Sequence, residues 1–242
     1  MSYLLIALAI GFLILIHELG HLLAAKWMGI SVARFSIGFG PKLCGWKWGE
    51  TEYWLAPIPL GGYVLPAVQD EAEFSRIPIA KRIIFSLGGP LANLLLPVVL
   101  FSVLNVIAGN HSLGNVLIAP WVQTGSMLMQ FLGSLPMVFQ HPDQLSGVVG
   151  IVAIGDQIVS QAGIAGGLKF AILLSINLAV LNMLPLPPLD GGKIVMYVLE
   201  KIHPRLAKLH VPLAAAGWLG LLALMAYTTV LDIARHVIGA TV

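Results

Sequence analysis

His17-Glu18-Leu19-Gly20-His21 closes an apolar, uncharged run from Ser2 to Ile16. On a helix, positions i and i+4 lie on one face. His17 and His21 can therefore aim their imidazoles at one Zn²⁺, with Glu18 beside the water such an ion would activate. The chemistry this spacing supports is metal-assisted hydrolysis, here inside a membrane helix. For this composition roughly one chance match is expected in 200 such chains. A glutamate at mid-membrane costs about 2.5–3.5 kcal/mol on insertion scales, so it requires a partner or a polar cavity.

A catalytic zinc site takes three protein ligands and keeps a position for water, so the two histidines need a third partner. Asp190 is the strongest candidate. It follows Asn182-Met183-Leu184-Pro185-Leu186-Pro187-Pro188-Leu189, whose three prolines interrupt an apolar stretch. Irregular backbone at membrane depth is tolerated only where protein buries it or where it lines a wet cavity, and a metal-bound carboxylate meets both conditions. The competing role for Asp190 is an N-cap of the helix that restarts near Lys193. Glu50, Glu52, Asp70, Glu71 and Glu73 lie in polar loops. Asn182 suits either a hydrogen bond to a substrate backbone or interhelical packing.

The elements that must position these residues are set by composition. With 58% hydrophobic and 10% charged residues and a mean hydropathy of +0.91, the chain reads as an all-α polytopic membrane protein. Its expected spans are about 2–26, 79–108, 168–190 and 211–237, the third broken by prolines. The N-terminal run lacks a basic start and a small-residue cleavage site, so it reads as an uncleaved first span. Seven of the thirteen Lys and Arg lie from Lys26 to Arg82 and four from Lys193 to Lys208, with none from Ile83 to Gly167. The positive-inside rule then makes the first and third loops cytoplasmic and puts both termini outside.

Between the first two spans, 35–63 reads as a β-hairpin turning at Gly49-Glu50, whose edge could bind an extended peptide. Its Trp46, Trp48, Tyr53 and Trp54 equally suit a headgroup belt. Residues 109–167 read as an outer loop with an apolar helix around Met127–Phe139 lying on the membrane face. His111 and His141 in that loop are expected to be ordinary polar residues. Gly88-Gly89-Pro90 should allow close packing or a kink, and Asn93 should serve helix packing. Cys44 is expected to be a packing residue without a disulfide partner.

Taken together, His17–His21, Phe39-Gly40, Pro59-Leu60-Gly61-Gly62-Tyr63, Gly89-Pro90 through Asn93, and Asn182 through Gly191 resemble the site-2 proteases. Within that family they resemble the bacterial regulator-of-sigma-E protease type. The resemblance implies that His17, His21 and Asp190 hold one Zn²⁺ per chain and that Glu18 is the catalytic acid/base. It implies that Asn182 positions substrate, and that Trp46 to Gly62, with Gly61 and Gly62 at the substrate, forms a membrane-re-entrant β-element. Gly88–Asn93 would match a family helix start with no assigned chemistry. The outer PDZ domains usual in that type are not expected, because 109–167 is too short to hold one.

The expected activity is a zinc endopeptidase in the inner (plasma) membrane, cutting within or near the transmembrane segments of single-span proteins. Anti-sigma factors or signal-peptide remnants are the expected partners besides the lipid bilayer, with no nucleic acid. The active site would lie in the cytoplasmic half. A non-proteolytic zinc-binding membrane adaptor or chaperone is the alternative, and a metal transporter would need further polar residues at mid-depth in the other spans.

Overall fold

The apolar N-terminal run folds as helix α1, Ser2–Trp27, and glycine ends it. Gly29 takes φ +68°, its N–H bonds the Lys26 carbonyl, and the Ile30 N–H bonds that of Ala25. This is a complete Schellman closure, which turns the chain sharply out of the helix. Residues 2–68, 71–140 and 147–236 are described by the computed structural model, so His141 lies outside the described residues.

After that turn come strands β1 (Val32–Phe39), β2 (Cys44–Trp48), β3 (Thr51–Leu55) and β4 (Ile58–Pro66). The expected hairpin is β2–β3, with Trp46 opposite Tyr53, Trp48 opposite Thr51, and Gly49 at φ +61° in the turn. It belongs to a larger mixed sheet in the order β2-β3-β1-β4. β1 pairs parallel with β3 and antiparallel with β4, placing Phe35 opposite Val64 and Ile37 opposite Gly62. β4 is thus an edge strand of the sheet. Cys44 is exposed on the opposite edge strand, so it is not the packing residue expected. Leu22 and Ala25 of α1 bury against Ile30, Val32 and Phe35, which fixes the sheet to the end of α1 that carries the histidines.

The helices continue with α2 (Glu71–Arg76), α3 (Ile79–Ile107), a π-helical turn (Gly114–Ile118), α4 (Ala119–Gln140), α5 (Val148–Asn182), α6 (Asp190–Ile202), a 3₁₀ turn (Pro204–Leu209) and α7 (His210–His236). Among the described residues, four helical stretches, Ile6–Trp27, Ile79–Ile107, Val149–Asn182 and Pro204–Arg235, are long and apolar enough to cross a membrane. The third begins earlier and ends earlier than the 168–190 expected, and Gly163, at φ +56°, breaks its helical path. Among the described residues the segment 109–167 is largely helical, with α4 at Ala119–Gln140 in place of a short helix near 127–139. His111 is exposed.

Two compact units make up the chain, one of residues 10–95 and 178–214, the other of 1–9, 96–177 and 215–242. In the second, buried Asp232 of α7 accepts a 2.7 Å bond from the Gly150 N–H, satisfying a donor that the first turn of α5 leaves open. In the first, Arg82 of α3 is 2% exposed. Its guanidinium grips Glu200 of α6 through two bonds of 2.9 and 3.0 Å, and its plane lies 4.8 Å from the Tyr197 ring centre. This fork ties α6 to the start of α3.

Candidate metal centre

His17 and His21 stand one turn apart on α1, both 7% exposed, with ring centroids 4.8 Å apart and planes nearly perpendicular. Room for them comes from α3. A Cβ at Gly89 would overlap His21 Nε2 and fall 2.6 Å from His17 Nε2. One residue earlier, Gly88 lies against Gly20 so closely that a Cβ on either would strike the other's carbonyl. The Gly88-Gly89 pair therefore lets α1 and α3 meet backbone to backbone directly beside the imidazoles.

Asp190 comes from α6. Leu186–Leu189 closes a tight turn after α5, and Leu189, not Asp190, is the N-cap. The N-cap role is thereby excluded, and the buried Asp190 carboxylate is aimed elsewhere. Its Oδ2 lies 3.2 Å from His17 Nε2 and 3.1 Å from His21 Nε2, and those two nitrogens are 3.2 Å apart. Ligands placed tetrahedrally around an ion at about 2.0–2.1 Å are about 3.3 Å from one another. Three atoms from two helices that share this spacing, all buried, could hold a metal ion, and two imidazoles with a carboxylate suit zinc.

Each ligand has a partner on its far side, as metal ligands generally do. His21 Nδ1–H donates to the Phe85 carbonyl at 2.8 Å, leaving Nε2 free for an ion. The Asn93 amide, fully buried, lies 3.1 Å from His17 Nδ1. The structure places the amide Nδ2 against Nδ1; with Nε2 as a metal ligand Nδ1 would carry the proton, and the amide would then have to turn to present its oxygen. Lys193 Nζ donates to Asp190 Oδ1 at 3.0 Å. Asn93 and Lys193 did not stand out as site residues in the sequence. A usable signal existed for Asn93: it follows Gly89 by one turn, on the face that meets the histidines.

Glu18, half-buried, turns toward the sheet. A Cβ at Gly62 of β4 would come within 2.7 Å of Glu18 Cγ and 2.7 Å of the Ser36 carbonyl oxygen. Gly61 approaches the Phe39 ring instead. Asn182, the last residue of α5, donates its amide N–H to the Leu178 carbonyl at 2.9 Å, a bond within its own helix. The structure thus gathers His17, His21 and Asp190, sets Glu18 against Gly62, and gives Asn182 a local backbone partner.

The chain is similar to known proteins over most of its length. The model of peptidase family M50 matches residues 5–226. A protein of Chlamydia trachomatis, provisionally named a zinc metalloprotease, is 48% identical over 120 residues, covering 42% of this chain and 19% of that protein. One of Clostridium acetobutylicum with the same provisional designation is 43% identical over 108 residues, covering 42% and 32%. A third, from Rhizobium meliloti, is 24% identical over an alignment covering 80% of this chain and 85% of its own length. The chain therefore spans about a fifth to a third of the length of the first two. With its four apolar helices and a family match over most of its length, this chain is a multi-pass membrane protein and belongs to peptidase family M50, the site-2 proteases.

Proposed function

We propose that the protein is a zinc-dependent endopeptidase that cuts peptide bonds within or beside the transmembrane segments of single-span membrane proteins. The observation that carries this reading is the buried triangle of His17 Nε2, His21 Nε2 and Asp190 Oδ2 at 3.1–3.2 Å, with Glu18 one residue along α1 from the first ligand. These three residues would hold the zinc, which when bound supplies Lewis-acid polarisation of a peptide carbonyl and acidifies water. Glu18 takes the proton from the attacking water and returns it to the leaving amine. The Phe85 carbonyl keeps His21 in the Nε2-free tautomer, and the Asn93 amide, turned to present its oxygen to Nδ1, would do the same for His17.

A peptide bond in an intact helix is shielded by its own hydrogen bonds, so substrate must be extended before attack. Edge strand β4 supports strand addition as the means: it carries Gly62 against Glu18 and pairs with β1 alone among the described residues. Gly61 and Gly62 would then lie along the bound strand, and Asn182 would contribute to holding it. Basic residues after α1 and after α5 support a cytoplasmic placement of those connections, an active site in the cytoplasmic half of the inner membrane, and outward termini. Anti-sigma factors and signal-peptide remnants are substrates of suitable form.

The test is incubation of detergent-solubilised protein with a panel of single-span helices, with products identified by mass. Wild type should cut within the helix, while Glu18→Gln and chelator-treated protein should not. Cleavage that persists in Glu18→Gln would sink the mechanism.

A further inference from the structure

We infer that Lys193 is a positioning residue that restricts Asp190 to a single oxygen toward the metal. This rests on the zinc-centre reading above. The two oxygens of Asp190 face different partners: Oδ2 sits 3.1–3.2 Å from both imidazoles, and Oδ1 accepts the 3.0 Å bond from Lys193 Nζ. The Asp190 side chain is 5% exposed and that of Lys193 49% exposed, so the ammonium reaches from the solvated side to a buried carboxylate oxygen, and the pair is screened on the lysine side alone. The helix itself does not favour a cation there. The Lys193 N–H makes the first backbone bond of α6, to the Leu189 carbonyl, so its side chain rises from the positive end of the helix dipole.

The backbone around Asp190 is fixed by other means. A Cβ at Gly191 would overlap the Met183 carbonyl, and one at Gly192 would overlap the Leu186–Pro187 peptide. The remaining freedom of Asp190 is rotation of its carboxylate, and the Lys193 ammonium removes it. Without that ammonium, Oδ1 could swing toward the ion alongside Oδ2 and occupy space that water and the substrate carbonyl require. Lys193 touches no reacting atom in this scheme. It acts through Asp190, as partners of metal-ligating carboxylates do.

The experiment loads detergent-solubilised full-length protein with Co²⁺ and records its visible spectrum, its Co²⁺ affinity, and kcat and KM on a single-span helix. Lys193→Met should bind Co²⁺ about 10- to 100-fold more weakly and lose visible absorption intensity, as a fourfold site does when it gains a ligand. Its kcat should fall by a similar factor with KM unchanged. Lys193→Arg, which keeps a donor, should restore the wild-type spectrum, and Lys201→Met on the same helix should behave as wild type. Lys193→Leu, which likewise has no donor, serves as a second variant should the methionine fail to fold, with the same expectations. A wild-type spectrum and affinity in Lys193→Met, or a Lys193→Arg as impaired as Lys193→Met, overturns the inference while leaving the zinc centre standing. A wild type that binds no Co²⁺ overturns both.

Discussion

Gly62 sets how closely the sheet can approach Glu18. An added methyl would meet a movable side chain on one flank and the rigid Ser36 carbonyl on the other, each at 2.7 Å, so it must push either Glu18 or β4 away. Gly62→Ala is expected to retain zinc stoichiometrically, since none of the three ligands is touched. A displacement of about 1 Å at a catalytic base costs roughly 100-fold in rate, and kcat should fall by about that factor. Metal analysis beside turnover on a single-span helix checks this, and a variant of wild-type rate would show that Glu18 is not held by β4. At this scale the sequence is legible wherever spacing is local. His17, Glu18 and His21 stand out within five residues, and Asp190 stands out because an acid beside prolines in an apolar region must be neutralised by something, as a metal ion held with the two histidines would do. Asn93 is not legible: its partner is read only in space, 76 positions away, and an asparagine in an apolar helix looks like packing until its neighbour is known. Lys193 stands three residues from Asp190, so its pairing is local, but a lysine at the start of a helix carries no mark of a role until the carboxylate's other oxygen is seen to face the imidazoles.

At the level of elements, the grip of Arg82 on Glu200 places α6, and with it Asp190, relative to α3. Breaking a buried ion pair by removing one partner strands the other charge at a cost of about 3–5 kcal/mol. Arg82→Met should therefore lower the thermal midpoint in detergent sharply. The double replacement Arg82→Met with Glu200→Leu should recover most of the loss, because neither charge is then left unpaired. A double variant as unstable as the single one would mean that the Tyr197 stacking or the Ile77 carbonyl bond, and not the ion pair, is what matters. Legibility again tracks locality. The β2–β3 hairpin can be read from a Gly-containing turn between alternating segments, whereas the parallel pairing of β1 with β3 and the return of β4 are non-local and leave no signature. The start of α5 at Val148 is hidden because Asp156, Gln157, Ser160 and Gln161 interrupt its apolar pattern, and those residues are polar without ending the helix.

For the molecule as a whole, composition dictates the four spans, and the uneven distribution of lysine and arginine suggests their orientation; the division into two units is not visible in either. That division has a consequence for metal binding. All three proposed ligands and their partners Phe85, Asn93 and Lys193 belong to the unit of residues 10–95 and 178–214. A ligand that binds only the folded state stabilises it by about 4 kcal/mol at a thousandfold excess over its dissociation constant, and the gain appears in segments whose opening disrupts the site. Zinc should therefore slow amide exchange in β1, β4 and the first turn of α6, while α4, whose residues Ala119–Gln140 lie in the other unit, keeps its metal-free rates. Exchange measured by mass spectrometry on wild type and on His17→Ala, each with and without zinc, separates this from non-specific binding. Protection confined to the ligand-bearing unit and absent from His17→Ala is the expected pattern. Equal protection in α4, or protection that survives the histidine replacement, would mean that the metal acts somewhere other than the His17–His21–Asp190 triangle.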